Sequence, residues 1–104
     1  MQTLNLSELR QITDGNAELE ATLFEMFQQT ADSCLERMET SLAAQDPKTW
    51  HSAAHELKGA SASLRAEALA ALCKKAEANF AAAQLEPLRA EYARVKAEIN
   101  KVQP

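Results

Sequence analysis

The chain has 104 residues, 46% of them hydrophobic, and a formal net charge of −4, which suits one globular domain with a single core. It holds only 2 glycines and 3 prolines. Sheet proteins need turn residues about every 8–12 positions, so β-sandwiches, barrels and glycine-rich nucleotide loops are excluded. The acidic balance also argues against nucleic-acid binding, which needs a basic surface.

The spacing of apolar residues predicts five helices in chain order. They cover about residues 5–13, 16–45, 47–64, 67–83 and 86–102. Because the connections are short, consecutive long helices are expected to pack antiparallel. The predicted fold class is all-α: an antiparallel up-down four-helix bundle with a short additional N-terminal helix, forming one domain over residues 1–104.

Local signals support these boundaries. Asp14-Gly15 is a turn dipeptide, and Asp46-Pro47 combines an N-cap residue with a proline suited to the first helical position. The fourth helix is expected to place its apolar residues on one face, namely Leu69, Leu72, Cys73, Ala76 and Phe80. The two cysteines, Cys34 and Cys73, are predicted to be reduced core residues, since no metal or redox spacing relates them.

No apolar run approaches the roughly 20 residues that a membrane span requires. The first residues show no basic-then-apolar signal pattern, so a cytoplasmic location is expected. A monomer is the expected oligomeric state.

The third helix separates two faces when it is drawn at about 100° per residue. The apolar face carries Trp50, Ala53, Leu57, Ala60 and Leu64. The opposite face is centred on His55 and also carries His51, Lys58, Gly59 and Ala62. His55 is therefore predicted to point away from the core.

Gly59 is the unusual residue of this polar face. A glycine inside a helix costs about 0.5–1 kcal/mol relative to alanine, and this chain uses alanine at 21 positions. Facing solvent, Gly59 fills no tight gap in the core. Its missing side chain leaves the imidazole of His55 open to another macromolecule, and Ser52 and Ala62 extend the low-relief surface.

An exposed imidazole beside a cation suits reversible phosphorylation. An ordinary imidazole has a pKa of about 6.5, so much of it is neutral and nucleophilic at pH 7. Attack by a ring nitrogen on a phosphoryl group gives a covalent phosphoramidate, and Lys58 is placed to pair with the resulting dianion. The sequence has no glycine-rich phosphate-binding loop. The groups that deliver the phosphoryl group are therefore expected on a partner protein.

The segment His55-Glu56-Leu57-Lys58-Gly59-Ala60-Ser61 resembles the signature of histidine-containing phosphotransfer (HPt) domains, His-x-Leu-Lys-Gly followed by small residues. The similarity continues downstream at Ala62, Leu64, Ala66, Leu69, Cys73 and the acidic Glu77, and upstream at Phe27, Leu35, Asp46, Trp50 and Ala54. Two positions depart from the family pattern. Arg65 stands where the family often has glycine, and Ser63 where it often has asparagine.

The resemblance implies a phosphorelay intermediate rather than an enzyme with its own ATP-binding or kinase domain. Such a domain accepts a phosphoryl group from an aspartate of one receiver domain and passes it to another. By position, His55 would be phosphorylated, Lys58 would steady the phosphate, and Gly59, Ala62, His51 and Ser52 would form the docking face. The implied partners are response-regulator receiver domains and a hybrid sensor histidine kinase. No cofactor of its own is expected, and Mg²⁺ is expected on the receiver.

Two other interpretations remain open at this stage. The chain could be a non-catalytic helical interaction module that binds a receiver or kinase without carrying phosphate. His51 and His55, spaced i and i+4, could also chelate a metal. No third ligand is evident, and no bound metal is expected.

The pairing of the second and third helices suggests a rim for the docking face. In an antiparallel hairpin, His55 falls opposite the stretch near Glu36. The outward residues Gln29, Asp32, Ser33 and Glu36 are therefore expected to border the docking face.

Overall fold

The computed structural model describes residues 1–103. Within this range the chain is helical and contains no strand. The helices are α1 (Leu6–Thr13), α2 (Ala17–Ala43), α3 (Pro47–Ser63), α4 (Glu67–Glu77) and α5 (Leu85–Val102), with a 3₁₀ helix at Ala82–Gln84. The all-α prediction is confirmed.

Helices α2 to α5 form the bundle. α2 packs against α3, α3 against α4, α4 against α5, and α5 back against α2. The 27 residues of α2 set the long dimension of the molecule, which measures 43 × 23 × 19 Å. Residues from all five α-helices form one core, in which Trp50, Phe24, Met38 and Leu57 are among the largest fully buried side chains.

The short helix α1 closes one end of the bundle. The Asn5 amide donates to the Arg65 carbonyl (2.9 Å), and the Ala68 amide donates to the Gln2 carbonyl (3.0 Å). The first bond ties the N-terminal segment to the α3–α4 connection, and the second ties it to the first turn of α4. Leu9 of α1 is buried against the core.

Most predicted helix ends are close to the observed ones because local capping determines them. Asn16 accepts from the Leu19 amide, and Asp46 accepts from the Thr49 amide ahead of Pro47. Gly15 has a φ of +72°, as the predicted turn requires. Arg65 ends the α3–α4 turn at φ +67°, so an arginine adopts the left-handed conformation that glycine would occupy.

The prediction for the fourth helix was wrong at its C-terminal end. α4 stops at Glu77 rather than continuing to about residue 83. Side chains from α3 bind the last carbonyls of α4. The chain then turns away from the helix axis, and the ring of Phe80 packs edge-on against that of Trp50, with the ring centroids 5.6 Å apart. Phe80 therefore lies outside the helix and is 39% exposed, not part of the buried α4 face.

Both cysteines are buried and unpaired, as predicted. Burial raises the pKa of the Cys34 thiol to about 11 and that of Cys73 to about 12. Thiolate chemistry at neutral pH is therefore unfavourable at both positions.

Candidate functional site

Helix α3 presents His55 to solvent because the opposite side of the helix is anchored in the core. Trp50, Ala53 and Leu57 are buried, whereas the His55 side chain is 68% exposed. Ala60, expected on the apolar face, is only partly buried at the edge of the core.

One carboxylate of α4 meets the exposed imidazole. His55 Nδ1 lies 2.8 Å from Glu77 Oε1. An ionised carboxylate only accepts hydrogen bonds, so Nδ1 must carry the hydrogen. In the neutral ring this leaves the lone pair on Nε2. The nitrogen that is free to react is thus the one that Glu77 does not occupy.

The same carboxylate also binds Lys58. Lys58 Nζ lies 3.0 Å from Oε1 and 3.1 Å from Oε2 of Glu77. Burial by itself would raise the pKa of Glu77, but the hydrogen bonds from Lys58 and His55 outweigh it and hold that pKa below its ordinary value. The Glu77 side chain is 14% exposed and ionised at neutral pH, and it links the two predicted site residues.

His51 lies beside His55 on the exposed surface. The two rings are nearly parallel, at 15°, and their centroids are 6.4 Å apart. His51 Nδ1 lies 3.3 Å from the main-chain carbonyl oxygen of Glu77. Both histidines therefore turn Nδ1 toward the same residue at the end of α4.

The remaining predicted docking residues surround this pair. Ser52, Gly59 and Ala62 are all exposed on α3. A Cβ at position 59 would meet no atom of another element within 4 Å, so packing does not require a glycine there. The structure thus brings His51, Ser52, His55, Lys58, Gly59 and Ala62 onto one face, as the helical spacing predicts.

The expected rim on α2 was wrong for Asp32 and Glu36. Asp32 accepts a hydrogen bond from the Tyr92 hydroxyl at 2.8 Å, and with Glu36 it lines a groove shared with α5. Near His55, Arg37 of α2 forms an ion pair with Glu56 of α3 at 2.8 Å. Asp32 and Glu36 thus lie on the side of α2 that faces α5.

Sequence reasoning assigned no role to Glu77. The resemblance to HPt domains includes Glu77 only as an acidic position of the family pattern. Glu77 lies 22 residues beyond His55, and no helical spacing relates residues on different helices. The packing of α4 against α3 places the Glu77 carboxylate at the imidazole of His55.

Two kinds of feature are absent from the residues that the structure describes. Within residues 1–103, no group of three or more His, Cys, Asp or Glu side chains could hold a metal ion. No helix in that range is long and apolar enough to cross a membrane.

A family model described as Hpt domain matches residues 22–103. Comparisons with curated proteins and with solved structures give no match. Because the family match covers most of the chain, the protein belongs to the Hpt domain family. Members of this family are phosphotransfer modules without kinase activity, and they generally interact with receiver domains and kinases.

Proposed function

We propose that this protein is a histidine phosphotransfer protein of a multistep two-component phosphorelay. His55 accepts a phosphoryl group from the aspartate of one receiver domain and passes it to another. The observation that carries the proposal is the pairing of His55 Nδ1 with Glu77, which leaves Nε2 free on a side chain that is 68% exposed.

The proposed transfer conserves atoms and charge in this geometry. The Nε2 lone pair attacks phosphorus, the N–P bond forms, and the P–O bond to the receiver aspartate breaks. The hydrogen stays on Nδ1, so the ring becomes positively charged as the bond forms, and the carboxylate at 2.8 Å stabilises that charge. Onward transfer reverses these changes, and the ring leaves as neutral imidazole.

The partner supplies the rest of the reaction. We expect the receiver domain to carry Mg²⁺ and the aspartate, and a hybrid sensor histidine kinase to stand upstream. A cytoplasmic monomer meets these requirements. Its role is stoichiometric, since the phosphoryl group resides on the protein between the two transfers.

Lys58 is placed to hold the transferred group. Its ammonium lies beside the imidazole while bound to Glu77, so it can reach a phosphoryl oxygen without leaving the site. Charge-assisted bonds to phosphate are among the stronger hydrogen bonds.

Lys58→Ala is therefore expected to slow phosphoryl acceptance by about 3- to 30-fold, or to shorten the phosphohistidine lifetime by a similar factor. Single-turnover transfer from a labelled receiver and decay of the isolated phosphoprotein measure the two effects. Lys101→Ala, at an exposed lysine near the end of α5, is the matched control. Kinetics of Lys58→Ala equal to those of the control would remove the proposed role.

Gly59 can be replaced by alanine without a steric clash. Gly59→Ala is expected to stabilise the fold by about 0.5–1 kcal/mol, because the added methyl group meets open space and the helix gains a better helix former. Chemical denaturation measures this gain.

Gly59→Gln is expected to preserve the fold but to weaken receiver binding and transfer by at least about tenfold, since the longer side chain occupies the approach to His55. Ala97→Gln, at an exposed position of α5, is the control. If Gly59→Gln and Ala97→Gln bind the receiver equally well, Gly59 does not mark the docking face.

The proposed function is tested by incubating the protein with a phosphorylated receiver domain. We expect label that is acid-labile and base-stable to transfer to this chain. Binding of receivers without transfer of label, across several receivers, would instead identify a non-catalytic interaction module.

A further inference from the structure

The C-terminal end of α4 is held by two neighbouring side chains of α3. Trp50 Nε1 donates to the Ala76 carbonyl at 2.8 Å, and His51 Nδ1 lies 3.3 Å from the Glu77 carbonyl. The last carbonyls of a helix have no partner within the helix. Helix α4 stops at this point, and the residues before the 3₁₀ helix have no regular structure.

The contact determines which nitrogen of His51 carries hydrogen. A carbonyl oxygen only accepts, so His51 Nδ1 is the donor. The parallel rings of His51 and His55 thus reach one residue side by side. His51 binds the main chain of Glu77, and His55 binds its carboxylate.

We propose that His51 is a positioning residue for His55 and acts through Glu77. By binding the Glu77 carbonyl, it fixes the last residue of the helix, and so it keeps the carboxylate at Nδ1 of His55. The consequence for phosphoryl transfer rests on the function proposed above. The consequence for the His55 ring does not, because it concerns the protein alone.

The first test follows the His55 ring by ¹⁵N NMR in the unphosphorylated protein. In His51→Ala, the ratio of the Nδ1–H to the Nε2–H form of His55 is expected to fall by about 2- to 10-fold, the effect of losing one hydrogen bond. In His51→Asn the ratio is expected to stay near that of the wild type, because the asparagine amide nitrogen replaces Nδ1 as donor. An unchanged ratio in His51→Ala would overturn the proposal.

The second test is a double-mutant cycle with Glu77→Ala, measured as the rate of transfer from a phosphorylated receiver. His51→Ala is expected to slow transfer by about 2- to 10-fold when Glu77 is present and to have no further effect when it is absent. The same loss in both backgrounds would mean that His51 contacts the receiver directly, and the positioning role would be wrong. Should the wild type accept no phosphoryl group, the proposed function fails, and the NMR ratio still decides the role of His51.

Discussion

His55→Gln is expected to reduce phosphoryl uptake from a phosphorylated receiver by more than about a thousandfold, to the background of the assay. Glutamine has no ring nitrogen with a free lone pair, because the lone pair of an amide nitrogen is delocalised. Its amide can still donate to Glu77, so the surroundings of the site are retained. The side chain is 68% exposed, and the fold is expected to be as stable as that of the wild type.

Quantifying acid-labile, base-stable label on the purified variant measures this effect. His51→Gln is the matched control, since it makes the same change at the other histidine, one turn away on the same face. It is expected to take up label at a rate lowered by no more than about tenfold. Uptake by His55→Gln at the wild-type rate would refute His55 as the phosphorylated residue.

Glu77→Ala is expected to have the next largest effect, slowing transfer both to and from His55 by about 10- to 100-fold. The variant loses the acceptor that keeps hydrogen on Nδ1, and it loses the negative charge that stabilises the charged ring. Both losses act on the step in which the N–P bond forms or breaks. Single-turnover kinetics with a phosphorylated and an unphosphorylated receiver measure the two directions.

Glu77→Gln separates the two contributions. Its amide oxygen still accepts from Nδ1 but carries no charge, so an intermediate rate is expected. A rate equal to that of Glu77→Ala would assign the whole effect to charge, and wild-type rates in both variants would contradict a role for Glu77. Thermal unfolding of each variant provides the control for folding.

The charge on Glu77 also predicts how the stability of the fold changes with pH. Its pKa in the folded protein lies below the ordinary glutamate value of about 4.5, because the bonds from Lys58 and His55 outweigh burial. The pairing therefore contributes fully to stability above about pH 4.5 and is lost as the pH falls through the lower value in the folded protein. At neutral pH the carboxylate is ionised, so the difference between the wild type and the Glu77→Gln variant reflects the loss of a full negative charge.

Much of the site could be predicted from local sequence because His51, Ser52, His55, Lys58, Gly59 and Ala62 lie on one helix. Helical spacing alone relates such residues, and the buried face of Trp50 and Leu57 fixes which way the helix is turned. The expected rim on α2 was less successful. A register estimate brings Asp32 and Glu36 level with His55, but it does not say which side of α2 they occupy.

The C-terminal end of α4 was predicted wrongly for a different reason. The run Ala81-Ala82-Ala83 has high helix propensity, and propensity alone extends the helix through it. The structure ends the helix at Glu77, where Trp50 and His51 bind the last two carbonyls and Phe80 packs against Trp50. The two hydrogen bonds join residues 26 positions apart and leave no mark in the local pattern.

The sequence by itself determined the helical class, the solvent-facing position of His55 and the open surface at Gly59. Each depends on composition or on the repeat of a single helix. Only the tertiary structure decided which nitrogen of His55 is free and what holds the other. That depends on a carboxylate from α4, and the distance between two helices is set by the packing of their shared core.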